Sequence, residues 1–290
     1  VAVGRGNGGT VTEAGGAQLI FTGWGGRVSG VTVNGDLAMT SVPGGASGTI
    51  TNGLTLNGTA TLAVAGGYPA TLTFSGTQTL GGTGSIVFGS TGASKTISVT
   101  GGTLTVAPGF EIRGETGSIS GTGSGTFVNQ GLISCDVSGK TISLSGTGWS
   151  NAGTIQGING GNVTTSGSWT SSGTMSVVGG GTMTLGGTFS NTGTIGMTGS
   201  TVNLAGNPFT LSNLGNFTRS GGTVNLTGTL TNTGTTLALD GNTGSWKLQG
   251  GTINGGTVSE AGGAQLIFTG SGGTLSGGTL NGDLNLAPAS

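Results

Sequence analysis

Glu111, Arg113 and Glu115, each two residues from the next, are the densest grouping of reactive side chains in this sequence. Alternate residues of a strand face the same way, so the trio would share one surface. Paired carboxylates flanking a bond are the tools with which enzymes cut sugar chains. The simpler reading is a charged, protruding loop, because the trio follows the turn residues Pro108 and Gly109 and no second acidic cluster clearly stacks beside it.

The remaining inventory is thin. The other carboxylates are Glu13, Asp36, Asp136, Asp240, Glu260 and Asp283, and there is no histidine. Without an imidazole there is no Ser-His-Asp triad and no ordinary His-containing metal site. Asp240-Gly-Asn-Thr-Gly244 resembles half a calcium loop, yet it lacks the later bidentate acid. Cys135 cannot pair within the chain and reads as a small packing residue. The expectation is a non-enzymatic chain with no catalytic residue, no metal ligand and no cofactor.

Two other residue types bear on binding. Trp24, Trp149, Trp169 and Trp246 would stack on sugars if exposed, but Trp149 and Trp169 share a repeat position with Phe189 and Leu211, which suits a core. Thr-x-Thr fragments at Thr71 to Thr73, Thr77 to Thr79 and Thr182 to Thr184 raise ice binding as a remote possibility; their spacing in the sequence is not one per repeat.

Composition narrows the class. Of 290 residues 70 are glycine and 5% are charged, for a net charge of −1, and the seven Lys and Arg are scattered. Phosphate binding needs clustered cations, so a nucleic-acid partner is not expected. No apolar run approaches the roughly 20 residues of a membrane-spanning helix. Glycine-rich chains are often disordered, but here the 32% hydrophobic residues fall in period-two alternation, which a linker has no reason to keep.

What must position all these residues is a repeat. One phrase returns six times, beginning at Phe127, Trp149, Trp169, Phe189, Leu211 and Leu230. Its glycines, Gly131, Gly153, Gly173, Gly193, Gly215 and Gly234, follow one another at nearly even steps. A period of about 20 residues, built from short alternating runs, is that of a β-solenoid whose every turn is one copy. Each copy divides into three short strands, as in Thr141 to Leu144, Gly148 to Asn151 and Gly153 to Gln156.

Stacked turns would set equivalent residues about 4.8 Å apart. Asn129, Asn151, Asn191, Asn213 and Asn232, with Ser171 in the third copy, would then form an amide ladder, the Asn and Gly positions supplying the left-handed backbone of a corner. Phe127, Trp149, Trp169, Phe189, Leu211 and Leu230 would form a core stack. The same geometry places like charges face to face, which explains the scarcity of charge. The fold class is all-β, a right-handed parallel β-helix of 14 or 15 turns of about 20 residues.

A longer period overlies the short one. Between Asn7 to Leu37 and Asn254 to Leu284, 25 of 31 positions are identical at a constant offset of 247. Residues 7–253 read as one module, of about twelve coils and near 60 Å long, and residues 254–290 as the start of the next copy within one continuous solenoid. Glu13 and Glu260, like Asp36 and Asp283, are equivalents, which favours structural or surface roles.

The aromatic-Ser-Asn-Thr-Gly-Thr-Ile phrase with its Thr-x-Leu strands resembles the right-handed β-helices of filamentous-haemagglutinin-type adhesins, autotransporter passengers and giant repetitive bacterial surface proteins. The resemblance implies an elongated extracellular or cell-surface protein whose partners are further copies of itself, end to end, and surface or matrix glycans. It carries over no functional residue.

Overall fold

The computed structural model describes residues 5–13, 18–39, 44–90 and 93–286. Pro43 lies outside them, as do residues 14–17 of the repeated opening motif. The chain is a parallel β-solenoid, 59% strand and 3% helix, of about 12 turns of about 22 residues. The turns are fewer and longer than expected from the six-copy block, because that block holds some of the shortest coils. Met183 is joined to its in-register partner Val202 by a visibly shorter stretch of chain than joins Ala70 to Lys95.

Most turns have three strands, and each strand pairs in parallel with its equivalent in a neighbouring turn. The copy read as three strands forms Thr141–Ser145, Thr147–Asn151 and Thr154–Gly157. The first face starts at Arg5–Asn7, which pairs with Arg27–Asn34. The second runs through Thr126–Asn129, Thr147–Asn151 and Ser168–Ser171. The third is a ten-stranded ladder from Leu19–Ile20 to Asn216–Ser220. Ala46–Leu56 and Thr182–Asn191 are long enough to bend round a corner and serve two faces.

The strands form because their sequences alternate. In Lys95–Thr100 every second residue is buried, and Ala70–Ser75 and Thr141–Ser145 repeat the pattern. The inward residues build one continuous apolar core along the axis. Glu111, Arg113 and Lys247 nevertheless occupy ladder positions, so charge is scarce in the stack but not excluded from it.

The glycine column has a different cause from the one expected. Gly131, Gly153, Gly173 and Gly193 do not have positive φ. A Cβ on any of the last three would strike the carbonyl oxygen of the column glycine one turn below, and on Gly131 that of Phe110. Those carbonyls accept the amides of Thr154, Thr174, Thr194 and, at Phe110, Leu132 at 2.9 to 3.0 Å. Glycine is needed because backbone passes over backbone. Only Gly215 and Gly234 have positive φ, 59° and 73°.

Gly173→Ala is therefore expected to lower stability by about 1–3 kcal/mol through overpacking. Gly241→Ala meets nothing within 4 Å, lacks positive φ and serves as the near-neutral control. Urea unfolding midpoints of the two variants check this.

Candidate functional site

The most developed polar construction is the corner column between the second and third faces. Asn129 pairs in register with Asn151, Asn151 with Ser171, and Ser171 with Asn191. All four are buried. Asn129 Nδ2 donates to Asn151 Oδ1 at 2.8 Å, and Asn151 Nδ2 to Ser171 Oγ at 3.1 Å. Each amide also reaches a carbonyl at the start of the next turn: Thr154 from Asn129, Thr174 from Asn151, Leu214 from Asn191 and Thr257 from Asn232. The column clamps one coil to the next, and its asparagines do not have left-handed backbone; only Asn52 and Asn159, among the described non-glycine residues, do.

Asn213 and Leu211 are corrections. Both lie in a 3-10 turn, Leu211–Leu214, outside the two columns. Asn213 Oδ1 accepts the Thr210 amide and hydroxyl at 2.7 and 2.8 Å, so its side chain caps that turn. Phe209 takes the place expected of Leu211, stacking on Phe189 at 5.7 Å and bridging to Leu230. The rings of Phe127, Trp149, Trp169, Phe189 and Phe209 form one pile with centroids 4.7 to 5.7 Å apart. The indoles of Trp149 and Trp169 donate to the carbonyls of Ser166 and Gly186. These rings and Trp246 are buried and present no face to a sugar; Trp24 alone of the tryptophans is exposed, at 95%.

Only two of the charged trio share a hollow: Glu111 and Arg113 line an open cavity of about 280 Å³ with Asn57, Thr83 and Ser85, and Glu115 is not part of it. Glu111 and Arg113 share the outer face of Glu111–Gly114, while Glu115 lies beyond its end. Arg113 sits 3.8 Å from Glu111 and 3.4 Å from Asp136, and Lys140 lies 3.5 Å from Glu115. Burial pushes the Lys95 ammonium down, opposed by the Glu115 carboxylate. Each acid has a base beside it. Burial likewise raises the Cys135 thiol, whose sulfur lies 3.3 Å from the Lys140 carbonyl. Among the described residues no group of three or more His, Cys, Asp or Glu is placed to hold a metal ion, and no helix is long and apolar enough to cross a membrane.

Several polar devices gave no sequence signal of their own. Glu13 accepts the amides of Leu19 and Asp36 at 3.1 and 2.9 Å, and Glu260 those of Leu266 and Asp283 at 2.7 and 3.0 Å. The recurring glutamate is a corner staple; its recurrence at the long offset was the available clue. Arg219 gives four hydrogen bonds to the carbonyls of Gly221, Gly222, Thr243 and Ser245, clasping the point where the ten-stranded ladder ends. Asn225 Nδ2 donates to Asn203 Oδ1 at 2.9 Å, and Asn203 Nδ2 to Thr184, a second amide column on the first face.

Hydroxyls on that face do recur once per coil, unlike the spacing of the sequence fragments. Ser47, Thr71, Thr96, Ser118, Ser143, Thr164 and Thr184 lie in successive register. The serines interrupt the methyl rows that a threonine lattice would offer, and Asn203, Asn225 and Lys247 continue the row.

No family model matches the chain, and neither a curated protein nor a solved structure matches it.

The corner chemistry can be tested at two points. Asn129 Oδ1 is buried without a partner, and buried Val106 stands directly below it in register. Val106→Asn would put an amide donor there, and is expected to be less destabilising than Val163→Asn, at a core position on the first face, by about 1–2 kcal/mol in urea unfolding. Asp240 Oδ1 accepts the amides of Asn242 and Thr243 and the Thr243 hydroxyl, and these bonds, that to the Thr243 amide foremost, hold its carboxyl below the ordinary value. A lowered folded-state value contributes stability above the unfolded-state value and loses it as pH falls through the folded one. The stability difference between wild type and Asp240→Asn should therefore move against wild type on acidification from about pH 5 to about pH 2, read from urea midpoints.

Proposed function

We propose that this chain is part of a non-enzymatic extracellular rod, structural or adhesive, built from tandem solenoid modules. The observation carrying this reading is that the described parts of the repeated opening motif fold the same way at both ends. Glu13 and Glu260 make equivalent bonds, and Thr10–Thr12 meets Thr32 to Asn34 as Thr257–Glu260 meets Thr279–Asn281. A sequence that repeats as a folded seam is built to be continued. The polar groups serve stacking between coils, and the acids of the charged patch have basic neighbours, which suits a scaffold more than a catalyst.

The surface offered to a glycan is the exposed Trp24 and the hydroxyl-lined first face, so an adhesive role would act through weak, repeated contacts. The competing reading, a carbohydrate-cleaving solenoid, would work through Glu111, Arg113 and Glu115. Depolymerisation assays on a polysaccharide panel are expected to show no cleavage. A measurable cleavage that Glu111→Gln abolishes would overturn the structural reading. Electron microscopy of native material should show rods longer than the roughly 60 Å of about 12 turns.

A further inference from the structure

The long repeat and the coil do not share a period. Arg5–Asn7 begins the first face, and Trp246–Leu248 is the twelfth strand of that face. The equivalent of Arg5–Asn7 at the offset of 247 is Thr252–Asn254. That strand does not continue the first face. It pairs with Thr229–Thr231, whose Leu230 bridges to Phe209 above the second-face ring pile. Leu19–Ile20 makes the same point: it opens the third face, while its equivalent Leu266–Phe268 pairs with Trp246–Leu248 on the first. Twelve strands span eleven turns, and the copy begins one face later. One module is thus eleven and a third turns. The offset between the copies, shared over that number, gives the same coil of about 22 residues that the strand pairing gives.

The two copies are otherwise superposable in register. Arg5 meets Arg27 as Thr252 meets Thr274, Val11 meets Val33 as Val258 meets Leu280, and Ile20 meets Ala38 as Ile267 meets Asn285. They differ in what lies beneath. Thr252–Asn254, Thr257–Glu260 and Leu266–Phe268 are covered by Thr229–Thr231, Thr236–Leu239 and Trp246–Leu248. Among the described residues, the opening strands Arg5–Asn7, Thr10–Thr12 and Leu19–Ile20 pair on one side only.

We propose that the opening coil of the module is laid down on the closing coil of another copy of the same module, residues 229–248, and that each module in such a row is turned by one face of the three-sided coil relative to the last. The seam at residues 229–284 is the template for that junction. Thr10, Val11, Leu19 and Ile20 are identical to their counterparts in it, whereas Gly6 stands where Ile253 fills the core. The turn per module is about 120°, so three modules return a feature to its starting side after 34 turns, and a face bearing Arg113 is displayed on all three sides of a long rod. Identical sites pointing three ways let one rod engage several neighbours at once, the geometry of a cross-linking matrix fibre.

This rests on the rod reading above, and the test separates the two. A tandem chain in which residue 253 is followed by residue 7 of a second full copy is examined by electron cryomicroscopy or crystallography. The expected result is one continuous rod, longer by about 54 Å, with the Arg113 side of the second copy turned by about 120°. A continuous rod with the two copies facing the same way overturns the phase and spares the rod. Two bodies with no strand pairing between them overturn both. A tandem chain joined instead from residue 251 to residue 5, which puts Gly6 where Ile253 fills the core, should unfold at a lower midpoint; no fall counts against the seam as the template.

Discussion

The parallel backbone ladder sets the terms for everything else in this molecule. Strands bonded along the axis lie about 4.8 Å apart, so each side chain must tolerate the one directly above it. Only some chemistries tolerate their own kind at that distance. Flat rings pile up, as from Phe127 to Phe209. Amides donate to the next amide, as Asn129 does to Asn151. Glycine lets peptide pass over peptide, as Gly153 over Gly131. Like charges do none of these things, and the chain carries few charges.

The architecture was legible because that constraint writes a period into the sequence. Between Gly125 and Thr236 the strands, the corner asparagines and the ring column could be named from spacing. The fifth copy misled because Leu211-Ser-Asn-Leu-Gly215 keeps the Ser, Asn and Gly of the phrase while Phe209, two residues earlier, carries the ring that the pile selects. A motif aligns residue types, whereas a column is filled by whichever side chain reaches it. The coil count was misjudged because the block with the clearest signal has short turns. The column glycines were recognised but their reason was not, since a close backbone approach depends on the neighbouring turn and leaves no mark in local sequence. Arg219 was illegible for a similar cause: it bonds backbone carbonyls, which every residue type offers, and Glu13 showed a structural role by its recurrence but not which amides it holds.

The polar column does not run the length of the rod, and its ends show what limits it. At the foot, Val106 offers nothing to Asn129 Oδ1. At the top, Asn191 gives its amide to the Leu214 carbonyl because the 3-10 turn has displaced the next side chain. Asn232 then makes the same bond to the following turn without an amide above or below it. Corner amides therefore pin coils locally, while the backbone ladder and the apolar core carry the structure through the gaps. At one end Glu13 and Asp36 take over that corner, and at the other Glu260 staples the next corner round, between the third and first faces.

That division of labour bears on how such a chain could lengthen. If the amide column were the source of continuity, a copy could begin only where the column does, and the repeat would be tied to whole turns. Backbone and apolar packing make no such demand, because each of the three faces presents the same row of donors and acceptors to the next strand. A copy can then start on any face, and the structure shows one starting on the second: Thr252–Asn254 over Thr229–Thr231. What fixes the start is the length of the preceding module in residues. A change of about seven residues, one strand and its turn, would move the next copy to another face without disturbing a single ladder. Module length is thus a rotational setting.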